Sequence, residues 1–207
     1  MAELVLALDM LDETRALEVA REVSEYVSAL KVNYPLVLSA GVDVIGKLAK
    51  IRPVVADFKV ADIPYTSSLI AKIAFEAGAK AIIVHGFAGV ETVKAVLDVA
   101  EEYGGEVYVV TELTSSDEFF RGVADRIAKM ARDLGCHGII APGNRPERVK
   151  ELRRIVGGMK ILCPGIGVQG GKAEAVIDAG ADAIIVGRSI YEAEDPKKAA
   201  EELSRLL

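Results

Sequence analysis

The sequence predicts a closed (β/α)8 TIM barrel, an α/β fold formed by a single catalytic domain over residues 1–207. Apolar, β-branched runs alternate with helical patterns from one end of the chain to the other, and this alternation occurs eight times. The runs are rich in Val and Ile, as expected of parallel strands covered on both faces. No linker, low-complexity tract or abrupt change of composition divides the chain, so eight units close into one barrel rather than two domains.

Taken in order, strands are expected near residues 4–9, 29–32, 53–58, 81–85, 106–111, 138–141, 160–164 and 183–186. An amphipathic stretch follows each: about residues 13–26, 34–50, 66–75, 90–102, 117–134, 145–156, 171–178 and 197–206. An open doubly wound sheet is the main alternative. The first strand is not followed by Gly-x-Gly-x-x-Gly, which counts against a dinucleotide-binding version of it.

Composition narrows the function. The chain has 25 Lys and Arg against 31 Asp and Glu, a formal charge of −6, which argues against nucleic acid as the partner. No segment approaches the ~18 consecutive apolar residues of a membrane span. The start, Met1-Ala2-Glu3, has no basic region ahead of an apolar core, so no signal peptide is expected. Cys136 and Cys163 lack metal or redox spacing and read as small core residues in a reducing cytoplasm. Gln169 is the only glutamine, and Asn33 and Asn144 are the only asparagines, a composition that leans towards thermophilic proteins.

Barrel enzymes carry their chemistry at the C-terminal ends of the strands. There the first strand ends in Asp9, in phase with Val5 and Ala7, and the second carries Lys31, in phase with Ala29. The third reads Asp57-Phe58-Lys59-Val60-Ala61-Asp62. Side chains alternate along a strand, so Val55, Asp57 and Lys59 share one face. Buried charges are costly unless paired. Lys31, Asp57, Lys59 and Asp62 together, two positive and two negative, read as a preorganised array, with a purely structural set of ion pairs as the competing reading.

The seventh strand leads into Pro164-Gly165-Ile166-Gly167-Val168-Gln169-Gly170-Gly171, and the eighth into Gly187-Arg188-Ser189. Loops after strands 7 and 8 are the usual phosphate site of this fold. Glycines admit backbone N–H groups to an anion, a helix N-terminus favours negative charge, Arg188 adds a charge-assisted contact, and Gln169 can donate its amide hydrogens. A tight turn with an Arg188 surface pair is the structural alternative. Residues 164–171 have the glycine content of a lid.

His85 ends the fourth strand and can either line the site or serve structurally; His137 is given no role. Residues 111–116 form a hydroxyl-rich segment suited to a polar ring, with helix capping as a competing role for Ser115 or Ser116. No Ser-His-Asp order, Gly-x-Ser-x-Gly elbow or metal-ligand spacing is evident.

Ala7-Leu8-Asp9, Leu30-Lys31-Val32, the run from Asp57 to Thr66, Val84-His85-Gly86, the glycine-rich loop and Val186-Gly187-Arg188-Ser189-Ile190-Tyr191 occur in this order along the chain. In these residues the chain resembles the orotidine 5′-monophosphate decarboxylase family over essentially its whole length. Asp-x-Lys-x-x-Asp-Ile-Pro combined with Lys31 is the specific part.

The resemblance implies conversion of orotidine 5′-monophosphate to UMP and CO2 without metal or cofactor, in a cytoplasmic homodimer with shared sites. It implies that Lys59 protonates C6 and that Asp57 lies beside the departing carboxylate. Lys31 and Asp9 contact the ribose, and Lys31 also holds the array. Asp62, Ile63 and Thr66 enter the neighbouring subunit's site. Gln169, Arg188 and the backbone at Gly187 hold the phosphate, Pro164 lines the substrate site, and Thr114 falls at a pyrimidine contact. Asn33 stands where a glycine is common, and asparagine tolerates positive φ better than most residues. Related metal-dependent sugar-phosphate decarboxylases and aldolases share Asp-x-Lys-x-x-Asp but typically have Glu at the position of Lys31. A non-catalytic nucleotide-phosphate binder would need only the phosphate loops.

Overall fold

The structure, a computed structural model, describes residues 2–115 and 118–207, without the side chains of Glu118 and Phe119. Eight parallel strands close in sequence order: β1 (Glu3–Leu8), β2 (Ala29–Asn33), β3 (Val54–Val60), β4 (Ala81–His85), β5 (Glu106–Val110), β6 (Gly138–Ile140), β7 (Lys160–Pro164) and β8 (Ala183–Val186), with β8 pairing back onto β1. Closure rules out the open sheet.

Alternation splits the apolar residues into two cores. Leu4, Leu6, Leu8, Leu30, Val32, Val54, Ala56 and Phe58 point outward against the helices. Val5, Ala7, Val55, Ala81, Ile83, Tyr108, Val110, Ile140, Leu162, Ala183 and Ile185 fill the barrel itself. Most of the inner side chains are small or β-branched, which keeps the narrow interior packed below the mouth.

The crossovers are α1 (Glu13–Glu22), α2 (Tyr34–Ala40), α3 (Val44–Ala49), α4 (Pro64–Glu76), α5 (Val90–Glu102), α6 (Glu118–Asp133), α7 (Pro146–Val156), α8 (Ala173–Asp178), α9 (Arg188–Tyr191) and α10 (Pro196–Ser204). Several starts have an evident cause. Asp12 accepts from the Arg15 N–H at 3.2 Å and Asp195 from the Lys198 N–H at 2.9 Å, each satisfying an orphan donor of a first turn. Pro64, Pro146 and Pro196 open their helices, where a missing N–H costs nothing.

Three expectations change. The single helix over residues 34–50 is two helices, because Gly41 adopts φ +87° and turns the chain between them. Asn33 has φ −124°, not a positive value; its side chain accepts from the Tyr34 N–H at 2.7 Å and caps α2. A short helix, α9, follows β8 where a loop was expected. The expected start of the fifth helical stretch at Asp117, and the capping role weighed for Ser116, lie outside the described residues.

Candidate active site

The barrel register builds the charged array. Ala7, Lys31 and Val55 are paired across β1, β2 and β3. Asp9 and Asp57 each stand two residues further along their chains, one layer nearer the mouth. The long Lys31 side chain therefore rises between two carboxylates, its Nζ 3.1 Å from Asp9 Oδ1 and 2.9 Å from Asp57 Oδ2. Lys59 Nζ donates to both Asp57 oxygens at 2.8 Å. The result is an alternating row, Asp9–Lys31–Asp57–Lys59. Lys31 and Asp57 are only 5% exposed at the side chain, whereas Lys59 is 32% exposed and open to the cavity.

Regular alternation is not what brings Lys59 here. β3 pairs with β4 as Ala56↔Ile82 and then Val60↔Val84, so four steps along β3 match two along β4. Within this bulge Lys59 takes φ +41°, the only non-glycine positive φ among the described residues. Such a conformation costs roughly 1–3 kcal/mol and persists only when the surroundings enforce it. Here the paired hydrogen bonds to Asp57 help to do so.

Burial opposes ionisation of both inner groups, and the neighbouring charges outweigh it. Burial acts to lower the Lys31 pKa, yet Asp57 and Asp9 leave it above the ordinary lysine value. Burial acts to raise the Asp57 pKa, yet Lys31 and Lys59 leave it below the ordinary carboxylate value. Removing one partner of such a buried pair typically costs about 3–5 kcal/mol, because the other charge is stranded.

The array forms one wall of a cavity of about 430 Å³, within the roughly 300–1,000 Å³ range of small-molecule sites. Of the expected residues, Asp9, Lys31, Asp57, Lys59, Thr114, Pro164, Gln169, Gly187 and Arg188 all line it. The far wall is the loop after β7 and the turn after β8. Gly167 N–H donates to the Gly171 carbonyl at 3.0 Å, Gly171 N–H to the Gly165 carbonyl at 3.0 Å, and Gly170 N–H to the Gly167 carbonyl at 2.7 Å. Gly165 has φ +95°, and a Cβ there would lie 2.6 Å from Thr114 Cγ2. Only glycine lets this loop lie against Thr114.

Asp62, Ile63 and Thr66 do not line their own chain's cavity. Asp62 is exposed and its carboxylate accepts from the Ile63 N–H at 2.7 Å. The array within one chain thus contains Asp9, not Asp62. His85 does not line the cavity either. It is buried with Nδ1 unpartnered, beside Phe87 and Phe120 at ring-centroid distances of 4.6 and 6.1 Å. Burial, and then the Lys59 charge, push its pKa down to about 4 against a smaller opposing pull from Asp57. His137 Nδ1 accepts from the Val107 N–H at 3.2 Å, a structural tie.

Sequence reading missed Asn33, Glu112, Ser189 and Tyr191 as lining residues. Ser189 and Tyr191 carried a signal, their place in the Gly187–Tyr191 motif. Among the described residues, no group of three or more His, Cys, Asp or Glu is arranged to hold a metal ion.

Residues 2–203 match the family model for orotidine 5′-phosphate decarboxylase / HUMPS. The chain belongs to that family. Orotidine 5′-phosphate decarboxylase of Methanosarcina mazei is 52% identical over 204 residues, covering 97% of this chain and 93% of the relative. The enzyme of the same name from Pyrococcus abyssi is 50% identical, covering 97% and 96%. The crystal structure of orotidine 5′-monophosphate decarboxylase from Methanocaldococcus jannaschii, complexed with the inhibitor BMP, superposes with a TM-score of 0.94. Its identity is 44%, over 100% of this chain and 99% of that one. The family's barrel is therefore the fold in which this array and these loops are set.

Proposed function

We propose that this chain is a carbon–carbon lyase that converts orotidine 5′-monophosphate to UMP and CO2 in pyrimidine biosynthesis, with Lys59 delivering the proton to C6. The observation that carries the reading is the Lys59 ammonium, fixed at 2.8 Å by both oxygens of a buried aspartate and facing a cavity whose opposite wall is a glycine-rich anion loop.

The steps follow from those positions. Arg188, Gln169 and the backbone at Gly187 hold the phosphate, and Pro164 lines the approach to the ring. Asp9 and Lys31 contact the ribose, and Thr114 contacts the pyrimidine. The C6 carboxylate lies beside Asp57. As the C6–carboxylate bond breaks, its electron pair stays on C6 and CO2 leaves. The Lys59 ammonium stabilises the developing charge, donates a proton to C6 and is left as the amine, which solvent reprotonates. Because Lys31 and Asp57 are already paired and buried, little reorganisation accompanies this charge development. Contacts to the remote phosphate supply binding energy that closes the loop and assembles the site. The reaction is proposed to need no metal or cofactor, and no role is assigned to nucleic acid or membrane. No helix among the described residues is long and apolar enough to cross a membrane. A reducing cytoplasmic setting fits the two buried free thiols.

Purified protein treated with a chelator should turn over orotidine 5′-monophosphate, followed as the change in ultraviolet absorbance. Activity that disappears on chelation and returns with Mg²⁺ would favour the sugar-phosphate relatives' chemistry instead.

The working unit is proposed to be a homodimer in which Asp62, Ile63 and Thr66 complete the partner's site. Exposure of Ile63 (64%) at the start of α4 and of Tyr65 (72%) and Ile73 (52%) within it supports this reading, since exposed large apolar side chains beside a functional residue suit a protein contact. Mixing inactive Asp62→Ala and Lys59→Ala proteins should regenerate activity through mixed dimers carrying one intact site. No regeneration despite demonstrated subunit exchange would assign Asp62 to its own chain.

A further inference from the structure

Glu112 lies two residues beyond the end of β5 at the cavity wall, and its side chain is wholly buried. A buried carboxylate needs charged or hydrogen-bonding partners, and Glu112 finds them in the next crossover. Arg148 Nε donates to Oε1 at 2.8 Å, and Arg145 Nη2 approaches Oε2 at 3.3 Å. Arg148 is held from its other side by Asp125 of α6 at 2.9 Å. The same arginine loop grips the backbone after Glu112: Arg145 Nη2 donates to the Leu113 carbonyl at 2.7 Å, and Asn144 Nδ2 to the Thr114 carbonyl at 3.0 Å. Two consecutive carbonyls at the ring-facing wall are thereby fixed to the β6–α7 connection, and Thr114 is set against Gly165.

We infer that Glu112 is a positioning residue for base recognition: it holds Arg145 and Arg148 so that the Leu113–Thr114 backbone, and with it the Thr114 side chain, meets the pyrimidine in a fixed place. The inference rests on the nucleotide reading above and adds a division of labour to it. The Glu112 clamp acts on the ring end of the ligand and leaves the phosphate end alone, because its hydrogen bonds and ion pairs described above go to Asp125, Leu113 and Thr114 rather than to Gln169, Gly187 or Arg188.

The test compares two probes, UMP and ribose 5-phosphate, by calorimetric titration of the wild type and Glu112→Gln, with thermal unfolding as the check on folding. UMP affinity should fall about 5- to 10-fold, the scale of one or two lost hydrogen bonds, while ribose 5-phosphate affinity changes less than about 2-fold. Turnover of orotidine 5′-monophosphate should show the loss mainly in KM. Asn144→Ala, which removes only the tie to the Thr114 carbonyl and leaves the ion pairs in place, should give a smaller loss with the same ring selectivity, and it decides the matter if Glu112→Gln fails to fold. Equal losses for both probes, or no loss for UMP, overturn the inference while the wild type's own UMP binding and turnover leave the nucleotide reading standing. A wild type that binds ribose 5-phosphate but not UMP overturns both.

Discussion

On the β1–β3 side of the cavity the ionic groups sit in the sheet or, for Asp9, just beyond its end, paired at 2.8–3.1 Å, with Lys31 and Asp57 buried. On the β7–β8 side, Gln169 and Arg188 are exposed, and the supporting structure is a loop closed by its own backbone hydrogen bonds. The difference matches what each side is proposed to do. A group that stabilises developing charge gains from a dry site with fixed dipoles and loses if it must reorganise. A group that captures a hydrated phosphate gains from being accessible and from backbone that can approach the anion closely. Strands supply the first property, and glycine-rich turns supply the second.

The sharpest way to break this comparison is to remove one cation from each side. Lys59→Ala should lower kcat by about 1,000-fold or more, since it removes both the proposed proton donor and the proposed charge facing C6. UMP affinity should change far less. Near-normal turnover in that variant would remove Lys59 from the chemistry. Arg188→Ala should be milder and of another kind: losing a charge-assisted hydrogen bond costs about 1.5–3 kcal/mol, a roughly 10- to 100-fold drop in kcat/KM. Added inorganic phosphate should inhibit it less than it inhibits wild type. If Arg188→Ala instead damages only kcat for a saturating substrate, the side assigned to capture takes part in the chemistry.

The smallest expected effect concerns pH and sharpens the boundary of the buried region. His85 titrates at about 4 in the folded chain against 6.5 ordinarily, so between these values the unfolded chain binds more protons. Stability should therefore fall as pH drops from 6.5 towards 4. Asp57, held below the ordinary 3.8, adds its own loss only under still more acid conditions. Urea unfolding of His85→Phe should show a shallower decline between pH 6.5 and 4 than wild type. Parallel declines would mean that other groups set the acid limb.

The barrel was legible because each Val- and Ile-rich run is long enough to stand out, and strands 4, 7 and 8 fall where the pattern put them. The phase of Asp9 and Lys31 with their inner-core neighbours was equally readable, because side-chain alternation is a property of the chain alone. Lys59 reached the right place by an argument that is only half right: alternation carried it to the mouth on paper, while the structure uses a bulge with φ +41°, which depends on pairing with β4. Asn33 was legible as an unusual residue but not as a helix cap, although the expected helix already began at residue 34, because it was weighed only for the backbone φ of a position where glycine is common. Glu112 was illegible for a different reason. Its arginines lie beyond α6, in the β6–α7 connection and α7, and one sequence does not tell which carboxylate a given arginine meets.

The bulge at Lys59 also bears on any attempt to improve the protein. Straightening residues 56–60 into an ordinary strand would relieve the left-handed backbone and lengthen the ladder with β4, so a search guided by thermal stability alone would favour it. The same change would shift the Lys59 backbone and disturb the fixed approach of its ammonium to both Asp57 oxygens. At this one segment, selection for a tighter barrel and selection for a working one pull the chain in opposite directions.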